Sequence, residues 1–157
     1  MSRFERTYDK AWQQLADSLG REPHQEEAEV LEGTLFKEWI EAEKFDDLIR
    51  HLHETYERAG GVTDVAVLCV ALRKKKDVAR IEKLVRGFIT MREKLFWSGW
   101  TKAQEGHLGY MRDCAKLAAA AMEMQAELFH NYWSLGMEAE MEQTRAAMLK
   151  FQSRTRA

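Results

Sequence analysis

At 157 residues, 45% hydrophobic and 32% charged, the chain has the size of a single domain that buries its own core without disulfides or a structural metal. Its 24 basic and 26 acidic residues leave a formal charge of −2, so overall charge gives no general attraction to nucleic-acid phosphates or anionic lipid. No apolar run approaches the length of a membrane span, and the stretch from Met1 to Tyr8 lacks the apolar core of a secretory signal; neither Cys69 nor Cys114 has a close-spaced partner, which reads as reduced, buried thiols of a cytoplasmic protein.

One proline and little β-branched alternation predict an all-α chain. Phe4, Tyr8, Ala11, Trp12, Leu15 and Leu19 form one buried stripe, which predicts a first helix from Arg3 to Leu19 with Gly20 as its stop. Pro23 starts the second helix, Glu26, Glu27 and Glu29 complement its dipole, and Ala28, Leu31, Leu35, Trp39 and Ala42 form its buried side. A turn at Lys44 and Phe45 leads to a third helix capped by Asp46, carrying Leu48, Ile49, Leu52 and Tyr56 and ending at Gly60-Gly61. Thr63 caps a fourth helix whose core, Val65 to Leu72, is apolar nearly all round and therefore central. The cations from Arg73 to Lys76 suit that helix's carboxyl end, and Asp77 starts the fifth, which runs through Val78, Ile81, Leu84, Val85, Phe88, Ile89 and Leu95 to end near Phe96-Trp97-Ser-Gly-Trp100. Two tryptophans beside Gly99 predict a tight helix crossing with an aromatic plug. Gly106 and Gly109 weaken helix before a long sixth helix through Asp113 to about Ser134. Gly136, a turn or a kink, precedes a last helix from Met137 to about Gln152 with a frayed tail. No linker divides the chain, so residues 1–157 read as one all-helical domain.

Five apolar pairs share an offset of 33: Leu35 with Leu68, Trp39 with Leu72, Phe45 with Val78, Leu48 with Ile81 and Leu52 with Val85. The same step onward gives Thr101, Glu105, Met111, Cys114 and Ala118, which are only partly apolar. Over about residues 28 to 90 this spacing resembles the tetratricopeptide repeat, whose units are 34 residues long. The resemblance implies antiparallel helical hairpins stacked as a solenoid; a compact up-down bundle accounts for the same apolar positions. It also implies a protein- or peptide-binding groove lined by the first helix of each hairpin. Lys37 and Glu41, Arg73 and Lys74, and Lys102 and His107 are its candidate lining residues. Such a cationic groove suits an acidic segment or a terminal carboxylate, whereas the run from Arg73 to Lys76 taken alone is a solvated helix end.

Other chemistries have less to stand on. Glu127 and His130 make one Glu-x-x-His pair where a di-iron bundle uses two, Gln104 and His107 lack the carboxylate, and His51 and His53 point about 200° apart on a helix. No nucleophile elbow, phosphate loop or Cys-x-x-Cys occurs. Met122 and Met124, two apart, face different ways, so one is expected on a partner, a second copy or solvent, with the helix from Tyr110 to Tyr132 as the expected contact of a homodimer or hetero-complex. The leading expectation is a non-catalytic, cofactor-free interaction module, an adaptor or a small accessory or inhibitory subunit of the immunity or chaperone kind. A metal-carboxylate bundle on Glu127 and His130 and a nucleic-acid accessory using Arg73, Lys74, Lys75, Lys76 and Arg80 are the alternatives.

Overall fold

A computed structural model describes residues 1–55, 62–106 and 109–156, and over them the chain is all-α. The helices among these residues are α1 (Arg3–Leu19), α2 (Gln25–Glu41), α3 (Phe45–Glu54), α4 (Val62–Lys74), α5 (Val78–Gln104), α6 (Gly109–Ser134) and α7 (Glu138–Arg156). The chain divides into two compact units, Met1–Gly60 and Gly61–Ala157. No helix among the described residues is long and apolar enough to cross a membrane.

In the first unit, α1 has the predicted bounds. Ser2 Oγ accepts the Glu5 amide at 3.1 Å, and Gly20, at φ 69°, closes the helix in the left-handed region. Of the predicted stripe only Phe4 is fully buried; Tyr8, Ala11, Trp12 and Leu15 are half-buried and Leu19 is exposed. Pro23 does not begin α2. The helix starts at Gln25 with His24 as N-cap, because Glu27 reaches back to the His24 amide at 3.0 Å and recovers a donor that would otherwise lack a partner. Phe36 and Trp39 are the buried residues of α2, and Ala42, expected inside, is exposed.

Asp46 is not the cap of α3 either. The Lys44 amide donates to the Trp39 carbonyl and the Glu43 amide to that of Ile40, both at 3.0 Å, with Glu43 at φ 57°. This Schellman turn passes the chain straight into α3 at buried Phe45, leaving Asp46 in the first turn. The core of the unit gathers on Phe4. Its ring meets Phe36 at 5.9 Å and Trp39 at 5.2 Å, both edge-on, and His51 at 4.5 Å. His51 in turn hydrogen-bonds Ser2 Oγ at 3.0 Å, tying α3 to the cap of α1. Tyr56 and Gly60-Gly61, read as the end of this helix, lie outside the described residues.

The second unit is built on α5 and α6. Gly99 lies against Leu117, Arg92 reaches the Ala120 carbonyl and Glu123, Glu93 pairs with Gln125, and Glu82 with Tyr132, an antiparallel register held along both helices. The cluster around Gly99 is not the end of α5. A Cβ at Gly99 would sit 3.1 Å from Leu117 Cδ1, so this glycine permits close approach within a continuous helix of 27 residues. The aromatic plug is present: Phe96 packs on Trp97, Trp100 and the Phe151 ring of α7 at 4.8, 5.8 and 5.1 Å. Arg154 covers Trp97 at 4.3 Å, and the last residues continue α7 to Arg156 instead of fraying at Gln152.

On α4, Val65, Leu68, Cys69 and Leu72 face the core. The helix is not wrapped on every side as its composition predicts, since Val67 and Val70 are 47% and 42% exposed. Thr63 lies inside its first turn and is no cap. Asp77 caps α5 as expected, accepting the Arg80 amide at 3.2 Å. A second Schellman turn precedes it, with Asp77 N–H to Leu72 O and Lys76 N–H to Arg73 O, and Lys76 at φ 53°. A third joins α6 to α7 through Met137 N–H to Tyr132 O and Gly136 N–H to Trp133 O; with Gly136 at φ 69°, it is a turn and not a kink.

Candidate functional site

Arg73 Nη1 donates to Asn131 Oδ1 at 2.8 Å, and Cys69, one turn earlier on α4, lies beside Glu127 and Asn131. Rising together, these pairs set α4 parallel to α6, so both helices end at one side of the unit and α5 and α7 begin there. Between the α4–α5 and α6–α7 turns opens a cleft of about 560 Å³, lined by Val70, Arg73, Lys74, Lys76, Val78, Ser134, Leu135 and Met137. This is within the size range of ligand sites.

Two carboxyl ends carry about −0.5 charge each and two amino ends about +0.5 each, so the helix dipoles roughly cancel around the cleft. The side chains decide its sign. Elsewhere in the unit Arg80 pairs with Asp77 at 2.7 Å, Arg92 with Glu123 at 2.8 Å and Arg145 with Glu142 at 3.5 Å. Lys74 and Lys76 have no carboxylate partner among the described residues, Arg73 is held by a neutral amide, and no acid lines the cleft. Three cations therefore stand over a floor of Val70, Val78, Leu135 and Met137.

Behind the cleft the polar side chains are fully engaged. Asn131, 0% exposed, donates to the Glu127 carbonyl at 2.8 Å and to its carboxylate at 3.3 Å. Burial, followed by the Glu127 charge, pushes the Cys69 thiol up to about 12. Tyr132 donates to Glu82 at 2.6 Å and accepts from Arg86 at 3.0 Å; burial and then the Glu82 bond raise its phenol. No buried side-chain nitrogen or oxygen among the described residues lacks a partner.

Of the residues singled out in the sequence, Arg73 and Lys74 meet in the cleft. Lys102 lies near the far end of α5, about 36 Å along the helix from Val78. Lys37 and Glu41 are exposed on α2 in the first unit, and His107 lies outside the described residues. Lys76 was singled out only for the nucleic-acid alternative, and Val70, Val78, Leu135 and Met137 were not among the candidates. The cation run pointed to Lys76, but the apolar floor depends on two helix ends meeting in space.

Glu127 and His130 do not share a site: Glu127 turns to Cys69 and Asn131, while His130 stacks toward Trp133 at 6.0 Å. No group of three His, Cys, Asp or Glu side chains among the described residues is placed to hold a metal. Met124 is buried, and Met122 packs on the Phe96 and Phe151 cluster of its own chain, so neither is the uncovered contact expected of α6. Among the described residues of α6, Trp133, 65% exposed, is the uncovered large apolar side chain. Cys69 is buried as expected, but Cys114 is half-buried, and both thiols are free. Compared with known proteins, the chain matches no family model, no curated protein and no solved structure.

Proposed function

We propose that the chain is a non-catalytic protein-binding module and that the cleft between residues 73–78 and 134–137 is its binding face. The observation that carries this reading is a set of cations without a carboxylate partner among the described residues, Arg73, Lys74 and Lys76, over a partly exposed apolar floor, while neighbouring arginines are paired. Charge gathered beside apolar surface is the pattern of a recognition site, since a solvated helix end has no need of the floor. The resemblance to hairpin repeats supports the same use, because α4, which the resemblance makes the first helix of a hairpin, supplies Val70, Arg73 and Lys74. An adaptor or a small accessory subunit works in this way, and two free thiols, one of them buried, fit a reducing compartment.

Photo-cross-linking in the producing cell tests the reading. A photoreactive residue replacing Val70 is expected to give a discrete protein adduct that disappears with Lys74→Glu, while the same probe at exposed Leu149 on α7 gives none. Absence of a protein adduct from position 70, or an adduct indifferent to Lys74→Glu, overturns the reading.

A further inference from the structure

We propose that the occupant of the cleft is an acidic peptide segment, with one side-chain carboxylate on the Arg73 guanidinium and a neighbouring apolar side chain on Val70, Val78, Leu135 and Met137. This rests on the binding reading above and names what that site recognises.

Arg73 is the prepared element. Its Nη1 is fixed 2.8 Å from Asn131 Oδ1, and Asn131 is itself held by Glu127 at 2.8 and 3.3 Å within the core. An arginine anchored along one edge presents its remaining donors in a set direction, and a carboxylate matches that planar fork with two parallel hydrogen bonds. Lys74 and Lys76 act differently. Both are exposed, flexible point charges without a carboxylate partner among the described residues, so they draw an acidic segment in without fixing its register.

The floor separates an acidic peptide from other anions. A free carboxylate or inorganic phosphate has no apolar group to bury on four aliphatic and thioether side chains. Single-stranded nucleic acid would use aromatic faces for its bases, and no Phe, Tyr or Trp lines the cleft. An aliphatic side chain next to a carboxylate satisfies both halves of the site, and Met137 adapts to its shape.

The test uses the full chain and fluorescence anisotropy. The probes are short amidated peptides, each carrying one Leu, Ile, Met or Phe flanked at increasing spacing by Asp or Glu, with oligothymidylate of matched charge as competitor. At least one peptide is expected to bind and to lose about tenfold or more in affinity when its acids become amides or its apolar residue becomes Ala. Arg73→Lys is expected to weaken it by about tenfold, and Lys74→Gln by roughly threefold with a flatter salt dependence. Lys74→Glu, at an exposed position, is expected to abolish binding while the thermal melt stays unchanged, which keeps the result separate from misfolding. Failure of every peptide, equal or tighter binding of oligothymidylate, or indifference to Arg73→Lys overturns the proposal. A protein adduct at position 70 without peptide binding discards this occupant and leaves the binding module standing; loss of both discards both.

Discussion

The two units achieve order by different means. In the first, three helices meet on one ring, Phe4, and much of the remaining apolar surface is half-covered: Tyr8, Trp12 and Leu15 on α1, Leu31 and Leu35 on α2. In the second, α5 and α6 bury an apolar seam along most of their length, its register marked by buried Gln125 and Tyr132 pairing with Glu93 and Glu82, and buried Asn131 aligns α4 with α6 by pairing with Arg73. Apolar contacts of one ring are strong but permissive in direction, whereas a hydrogen bond is satisfied at one alignment only. Only the second arrangement fixes a charged side chain at a chosen place, and the cleft depends on it.

The largest effect is expected from Phe4→Ala. Removing a fully buried phenylalanine on which two aromatic rings and His51 rest should destabilise the first unit by about 3–5 kcal/mol. Hydrogen exchange reads the two units separately, and the loss of protection should appear across α1, α2 and α3. A loss below about 1 kcal/mol would mean that Phe4 is not the centre of that core.

The next effect belongs to the contact between α4 and α6. Asn131→Leu keeps the branched shape but removes the polar partner of the Arg73 guanidinium, the Cys69 thiol and the Glu127 carboxylate, and should cost about 1–3 kcal/mol in urea unfolding. The variant should also weaken ligand binding at the cleft, because Arg73 is no longer aimed. If stability falls and binding does not, Asn131 holds the helices together without positioning Arg73.

These two variants divide what is legible in the sequence from what is not. The α1 stripe with Gly20 states the bounds of that helix because apolar period and stop signal agree. The offset of 33 has a physical counterpart in Glu43 and Lys76, the left-handed residues of two Schellman turns, since both turns follow a large apolar residue, Trp39 or Leu72, at the end of a helix. At Gly99 the tight crossing was legible but the continuation of α5 was not, because glycine both breaks helices and admits neighbours, and here the approach of Leu117 shows the second use. His24 is an uncommon cap that works here because Glu27 completes the box. Asn131 and Gln125 interrupt the apolar period of α6 and read as surface until their partners are known. The cleft was half-legible: charge marks Arg73 and Lys74 along the chain, but Leu135 and Met137 join Val70 only through the parallel placement of α4 and α6.

The pH response of the second unit comes third. Burial holds the Cys69 thiol at about 12 against 9.0 for a free thiol, and Tyr132 is also raised, by burial and then by its bond to Glu82. Because the folded values lie above the unfolded ones, the unfolded chain releases protons first on the alkaline side. Stability is therefore fully present below pH 9 and declines as pH rises toward 12, with Cys69 adding a slope of at most about 1.4 kcal/mol per pH unit. Urea unfolding at intervals from pH 8 to 11 should follow that decline, and Cys69→Ala should flatten it. An unchanged slope would assign the alkaline loss to other groups, Tyr132 first among them.

The smallest effect compares the two units at their matching turns. Glu43 and Lys76 both occupy left-handed backbone, at φ 57° and 53°, where a side chain costs about 1–2 kcal/mol. Glycine removes that cost but loses roughly 0.5–1 kcal/mol to the greater freedom of the unfolded chain. Lys76→Gly should therefore stabilise the second unit by up to about 1 kcal/mol, and Glu43→Gly the first by less, because Glu43 also makes a polar interaction that glycine gives up. Stability and function should then part at Lys76 alone. The glycine variant melts higher, yet its cleft has one cation fewer and should hold an acidic peptide more weakly. If affinity is unchanged while stability rises, Lys76 is only a strained turn residue, and the cleft's charge reduces to Arg73 and Lys74.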